Sequence, residues 1–199
     1  MTKTIDYYMS PMSPWAYLGH ERLASLARKH SAQITVKPVD FGRIFSVSGG
    51  LPLPKRAPQR QKYRLAELRR WKAFIGIPLT IEPKYFPYDA TLASKLIVAA
   101  AQRGEAAAMR LTGAIMRGCW AEEGNMADEA QLAECVRAEG LDPAGLIAQA
   151  KSPETNTQYE ALIDEAIKRD VFGAPTYVYK DELFWGQDRL QFLELALEK

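Results

Sequence analysis

The hydrophobic period switches repeatedly between strand and helix along the chain, and this limits the fold more than any other feature. Thr4-Ile5-Asp6-Tyr7-Tyr8-Met9 is rich in β-branched and aromatic residues and predicts a strand. From Trp15 the pattern turns helical through Ala16, Leu18, Leu23 and Leu26, and Gln33 to Val39 then alternates at period two. Pro38 puts that second strand at an edge or marks its end. From Tyr63 to Arg169 the reading is almost entirely helical. The β pattern returns at Tyr177-Val178-Tyr179, turns at Lys180-Asp181 and runs back through Glu182-Leu183-Phe184-Trp185 as a tight hairpin. A last helix follows Gly186-Gln187-Asp188 and carries Leu190, Phe192, Leu193 and Leu197. A chain with this order must leave a sheet, build a block of helices and come back. The class is α/β. A compact βαβ start implies two parallel strands, and residues 1–45 with 170–199 form a sheet unit into which 46–169 is inserted.

Within the insert, Ser46 to Pro58 holds Gly49, Gly50, Pro52, Pro54 and Pro58 and reads as a loop. Loops of that length usually do something, such as cover a site. The basic run Lys55, Arg56, Arg60, Lys62 and Arg64 follows. It reads either as a solvated face or as a basic rim for a carboxylate-bearing ligand. Gly76-Ile77-Pro78 ends the next helix, Pro83 to Pro87 form an aromatic turn, and helices then open near Asp89, after Arg103-Gly104, and at Asp128, Asp142-Pro143 and Ser152-Pro153.

Charge and composition narrow the function. A net charge of +2 gives no broad electrostatic case for nucleic acid or an anionic membrane. The most apolar stretch, Leu96 to Ala101, is too short to span a bilayer, and the first residues lack a signal-like apolar run, so a cytoplasmic location is expected. Cys119 and Cys135 form no C-x-x-C pair and read as small buried residues. His20 and His30 stand apart from thiols and carboxylates and are read as surface or helix-end residues, so no metal site is expected.

Two junctions carry the candidate chemistry. Ser13-Pro14 sits where the first strand hands over to the first helix. Serine followed by proline is a favoured helix start, so Ser13 reads as an N-cap. The same position is one where helix amides and a hydroxyl can meet an anion. Asp188 likewise reads as the cap of the last helix, Trp185 as core packing and Gly186 as a place of close backbone approach.

These junctions resemble a known family. Where disulfide oxidoreductases of the DsbA type carry C-P-x-C, this chain has Ser13-Pro14-Trp15-Ala16, and Gly173-Ala174-Pro175-Thr176 is similar to their cis-proline loop. Trp185-Gly186-Gln187-Asp188-Arg189-Leu190 and Ser13-Pro14-Trp15-Ala16-Tyr17-Leu18 resemble stretches of the 2-hydroxychromene-2-carboxylate isomerases and kappa-class glutathione transferases. The resemblance implies a thioredoxin-like fold with an inserted all-helical subdomain, and a homodimer. It implies glutathione as cofactor, with Ser13 activating its thiol, a cis Ala174-Pro175 bond exposing the Ala174 backbone, and Trp185, Gly186, Gln187 and Asp188 holding its γ-glutamyl end.

The activity implied is a glutathione-dependent isomerisation of a small electrophilic aromatic or conjugated carboxylate, with Arg60 and Tyr85 as candidate contacts to it. A kappa-like transferase or peroxidase and a non-redox binding protein are the alternatives. Thiol–disulfide exchange needs an attacking thiolate, which Ser13 and Ala16 do not supply. The loop Gly49 to Pro54 lacks the asparagine that the family often uses to contact a ligand.

Overall fold

A computed structural model describes residues 2–199; Met1, the first residue of the expected sheet unit, lies outside them. Strand β1 (Lys3–Met9) lies at the heart of a four-stranded sheet. Its odd residues Ile5, Tyr7 and Met9 enter one apolar core and Tyr8 enters another, as the two-residue period of a strand requires. Helix α1 (Pro14–Lys29) follows, and β2 (Ala32–Pro38) returns parallel to β1 with Ile5 opposite Ile34. Pro38 is the last residue of an edge strand, where its missing N–H costs nothing.

Helix α2 (Phe41–Ser48) overlaps the stretch read as loop. Its Phe41, Ile44 and Phe45 fall at helical spacing, Asp40 caps it by accepting from Gly42 N at 2.7 Å and Gly49 ends it at φ 74°, so the irregular stretch begins only after Ser48. The long helix α3 (Pro58–Ile75) comes next, with Leu68 its one buried residue among those described. Helices α4 (Thr91–Ala101), α5 (Glu105–Trp120), α6 (Glu129–Ala138), α7 (Pro143–Ala150) and α8 (Pro153–Lys168) complete the insert. Asp128, Asp142 and Ser152 each accept backbone N–H groups at the expected starts.

Strand β3 (Thr176–Tyr179) pairs antiparallel with both β1 and β4 (Glu182–Trp185), giving the order β2-β1-β3-β4. The hairpin turn places Lys180 and Asp181 at φ 49° and 65°, the left-handed pair that suits a two-residue turn. Helix α9 (Leu190–Leu197) closes the chain. Leu18 and Leu23 of α1 and Leu193 and Leu197 of α9 share the core of Tyr7 and Tyr177 with Leu96, Ile115 and Trp120 of the insert. On the opposite face Ile44 of α2 and Tyr159 and Ile163 of α8 pack with Tyr8 and Val178. This is a thioredoxin-like sheet carrying a helical insertion. None of its helices among the described residues is long and apolar enough to cross a membrane.

His20 departs from the surface role read in sequence. It is 3 % exposed, packed between α1 and α5, with Nε2 donating to Met109 O at 3.0 Å. Its neighbours explain the depth: Gly113 leaves room for the ring, and Tyr7 lies 6.0 Å away, ring to ring. His30 does sit at a helix end, as the C-cap of α1, but it does not stand apart from acids: α9 brings Glu194 to 3.3 Å from its Nε2, with Glu198 nearby, a meeting of chain ends that local sequence does not show. Cys119 is buried and Cys135 half-buried, both as free thiols whose pKa burial pushes up, to about 12 and about 11.

Candidate active site

Ser13 is the N-cap of α1: its Oγ accepts from Ala16 N at 3.2 Å, with Pro14 at the first helical position. A hydroxyl used this way accepts one bond and keeps its hydrogen to donate. Ala16 is fully buried, and Tyr7 Oη donates to its carbonyl at 3.4 Å. The position where C-P-x-C proteins keep a second sulfur is therefore a methyl group inside the core.

The returning half of the chain comes up beside this helix start. The Ala174-Pro175 peptide bond is cis. Thr176 Oγ1 donates to Gly173 O at 2.7 Å, and Pro175 O accepts from Gly186 N at 2.8 Å, so the loop before β3 is tied to the turn after β4. Gly186 has φ 105°, a conformation that favours glycine, and the Asp188 carboxylate leans over the face where a Cβ would stand. Gln187 is buried, and Arg22 of α1 holds it by donating to both its backbone oxygen, at 3.2 Å, and its side-chain oxygen. A Cβ on Gly19 would come within 2.8 Å of Gln187 Cβ, so this glycine lets the turn sit down on α1.

A pocket of about 680 Å³ lies where these pieces meet α3. Trp15, Ala174, Trp185, Gly186, Gln187 and Asp188 form one side of it. Tyr63, Arg64, Glu67 and Trp71 of α3, with Arg60 and the preceding Arg56, form the other. Motifs far apart in sequence thus share one cavity. Ser13, two residues before Trp15, and Pro175, next to Ala174, are not on its wall. Neither is Tyr85, which is half-exposed with Lys84 Nζ 5.0 Å from its ring centre.

Two local readings change. Trp185 is not core packing: it is 52 % exposed, lies over Gly173, where any Cβ would run into the indole, and packs on Phe172 at 4.8 Å. Asp188 does not cap the last helix. A 3₁₀ turn, Gln187–Arg189, precedes α9 without a side-chain cap, and Asp188 pairs with Arg189 at 2.6 Å instead.

The electrostatics are one-sided. Burial and then the charge of Arg60 lower the pKa of Arg56. Burial and then Arg56 push Arg64 down to about 10, with Glu82 working weakly the other way. Among the described residues no carboxylate pairs with Arg56, Arg60 or Arg64; Glu67, the acid on the same helix, is taken by Arg70. Sequence reasoning had noticed the basic run but not its orientation. The signal lay in the spacing: Arg60, Arg64, Glu67 and Trp71 recur at four, three and four residues, one face of a helix. Arg22, whose guanidinium lies 5.7 Å from the Trp71 ring centre, carried no such signal.

A thioredoxin-like sheet, a helix-start serine in place of thiols and a basic pocket beside a cis-proline loop define the class. The chain belongs to the DSBA-like thioredoxin domain family, whose model matches residues 4–198, and within it to the group of 2-hydroxychromene-2-carboxylate isomerases and kappa-class glutathione transferases. It is 33 % identical over 198 residues, 99 % of both chains, to 2-hydroxychromene-2-carboxylate isomerase of Sphingobium xenophagum. It is 23 % identical to glutathione S-transferase kappa 1 of Caenorhabditis elegans, covering 98 % of this chain and 91 % of that one. A solved 2-hydroxychromene-2-carboxylate isomerase superposes with a TM-score of 0.84 at 27 % identity, over 98 % of this chain and 94 % of that one. These names support an enzyme of the isomerase or glutathione transferase kind.

Proposed function

We propose that the protein is a glutathione-dependent isomerase acting on an aromatic or conjugated carboxylate of the 2-hydroxychromene-2-carboxylate type. The observation that carries this reading is the meeting of Trp15, Ala174 and the Gly186-Gln187-Asp188 turn in one pocket with unpaired arginines. The pocket suits glutathione. Its volume of about 680 Å³ lies within the usual range for small-molecule sites, ~300–1,000 Å³. Its free guanidiniums match the carboxylates of a tripeptide, and Asp188 offers an anion for the ammonium group, since an exposed pair such as Asp188–Arg189 holds weakly.

Glutathione, when bound, supplies a thiolate that adds reversibly to a conjugated carbon, frees the neighbouring bond to rotate, and leaves again. The chain's part is electrostatic and positional. Ser13 Oγ–H donates to the sulfur anion while the first turn of α1 favours negative charge there, which lowers the thiol's pKa. Ala16 keeps a competing protein thiol out of the site. Trp15, Trp71 and Trp185 offer flat apolar walls to a planar substrate.

Removing a single donor to a reacting anion costs about 100-fold or more in kcat. Ser13→Ala is therefore expected to lose about that much activity. Ser13→Asp keeps a cap but places a negative charge beside the thiolate; it is expected to melt like the parent and to be equally inactive. Near-parental turnover in a folded Ser13→Ala protein would overturn the role given to Ser13. Glutathione that is consumed during turnover would move the reading to a transferase.

A further inference from the structure

We infer that Arg64, with Arg56 beside it, forms a second anion subsite that holds the carboxylate of the electrophilic substrate, separate from the groups that hold glutathione. The inference deepens the proposed function and rests on it for the placing of glutathione. Arg64 is half-buried on the pocket wall, its guanidinium 5.2 Å from the ring centre of Phe86. Among the described residues it has neither a salt bridge nor a side-chain hydrogen bond. A guanidinium offers five N–H donors, and taking it out of water without a partner is costly. Some more exposed arginines have acids, as Arg43 has Glu160 and Arg110 has Glu139; what sets Arg64 apart is that it is half-buried on the pocket wall without one.

The charges in the pocket count toward a second anion. Arg56 is fixed by donating Nε to Leu51 O at 2.7 Å and lies 5.9 Å from the Phe45 ring centre, which leaves the Nη side of its fork unused. Arg60 is exposed at the rim. Glu67 is held by Arg70, and Asp188 is shared between Arg189 and the ammonium group proposed for it, so Arg56, Arg60 and Arg64 face the cavity without an acid among the described residues. The glycyl carboxylate of glutathione needs one of them, and Arg60, exposed and outermost, is free to reach it. Burial first, and then the like charge of Arg56, disfavour the charged form of Arg64, and one carboxylate shared by the two arginines would offset the repulsion and meet the unused donors. Trp15 and Tyr63 line the same cavity and offer flat faces to a planar ring carrying that carboxylate. The substrate class that follows is a flat, conjugated, free carboxylate; an ester or amide of the same ring would leave the arginines unpaired.

Tryptophan fluorescence, with Trp15, Trp71 and Trp185 around the cavity, reports binding directly. The probes are 2-hydroxycinnamate and its methyl ester, with glutathione titrated in parallel by calorimetry. The parent is expected to bind the acid at least tenfold more tightly than the ester. Arg64→Gln should weaken the acid roughly tenfold or more, while the ester and glutathione change less than threefold. Arg64→Lys, which keeps the charge without the fork, should fall between, and a melting curve on each variant confirms the fold. Equal binding of acid and ester by the parent, or an Arg64→Gln protein that loses glutathione as much as the acid, overturns the subsite. Failure of glutathione to bind a parent that still discriminates acid from ester overturns the glutathione reading and leaves this one standing.

Discussion

Two groups of charge, one tied to the sheet and one lining the pocket, behave in opposite ways. In the first, Lys37 Nζ lies 3.1 Å from Asp6 and 2.7 Å from Glu165, and Arg169 reaches Asp6 at 3.2 Å. Tyr8 Oη adds a hydrogen bond to the same Glu165 oxygen at 2.7 Å. Burial tends to raise the Glu165 pKa, but Lys37 and Tyr8 more than offset this, so its carboxyl is held below the usual range. In the second group, Arg56, Arg60 and Arg64 find no acid among the described residues. A network that satisfies itself locks β1, β2 and α8 together. A network left unsatisfied by the protein is shaped for something the protein does not contain.

Lys37→Met should expose this difference most strongly. It takes the central cation from two carboxylates, leaving Asp6 with Arg169 and Glu165 with Tyr8 and Arg169, and is expected to destabilise the fold by about 2 kcal/mol, with activity per folded molecule unchanged, as denaturant melts and active-site titration would record. Arg64→Met should go the other way. Methionine keeps the packing on Phe86 and discards an unpaired charge, so stability should rise by about 1 kcal/mol, while 2-hydroxycinnamate ceases to raise the melting temperature and glutathione still raises it. Losses of equal size from the two substitutions would erase the contrast.

The smallest expected effect concerns a buried base that escapes both groups by staying neutral. Burial lowers the pKa of His20, although Glu21 and the Met109 carbonyl work to raise it. The unfolded chain therefore takes up a proton more readily, and the stability His20 contributes is complete above its unfolded pKa of about 6.5 and is lost as pH falls toward the folded value. His20→Gln should flatten the melting-temperature profile below pH 6.5, by at most about 1.4 kcal/mol per pH unit, which thermal melts from pH 7.5 to 5 would reveal.

Much of this fold was legible because strand and helix periods differ. β1, α1, the hairpin and the capped starts at Asp128, Asp142 and Ser152 all follow from local pattern. α2 is announced only by the apolar spacing of Phe41, Ile44 and Phe45, and the glycine- and proline-rich stretch from Ser46 to Pro58 masks its last turn. In the site, Trp15, Ala174, Gly186, Gln187, Asp188 and Arg60 reach the pocket from motifs visible in sequence. Trp185 misled because a tryptophan on a strand normally points to a core, whereas β4 is an edge strand. Arg22 and Trp71 were invisible because their meeting across α1 and α3 is a property of packing, with no spacing to announce it. Tyr85 was carried by resemblance alone, and the cis Phe86-Pro87 turn that follows it brings Phe86, not Tyr85, under Arg64.

Helix α3 buries Leu68 and leaves its other side chains half-buried or exposed, so most of its positions carry little of the molecule's stability. Natural variation can therefore rewrite the arginines and aromatic residues of this wall at small cost to folding, while Ser13, Gly19 and the Gly186 turn, set into α1 and the sheet, cannot drift so freely. The molecule thus divides its tolerance to change: positions fixed by the sheet and α1 on one side of the pocket, and a wall free to vary along one exposed helix on the other.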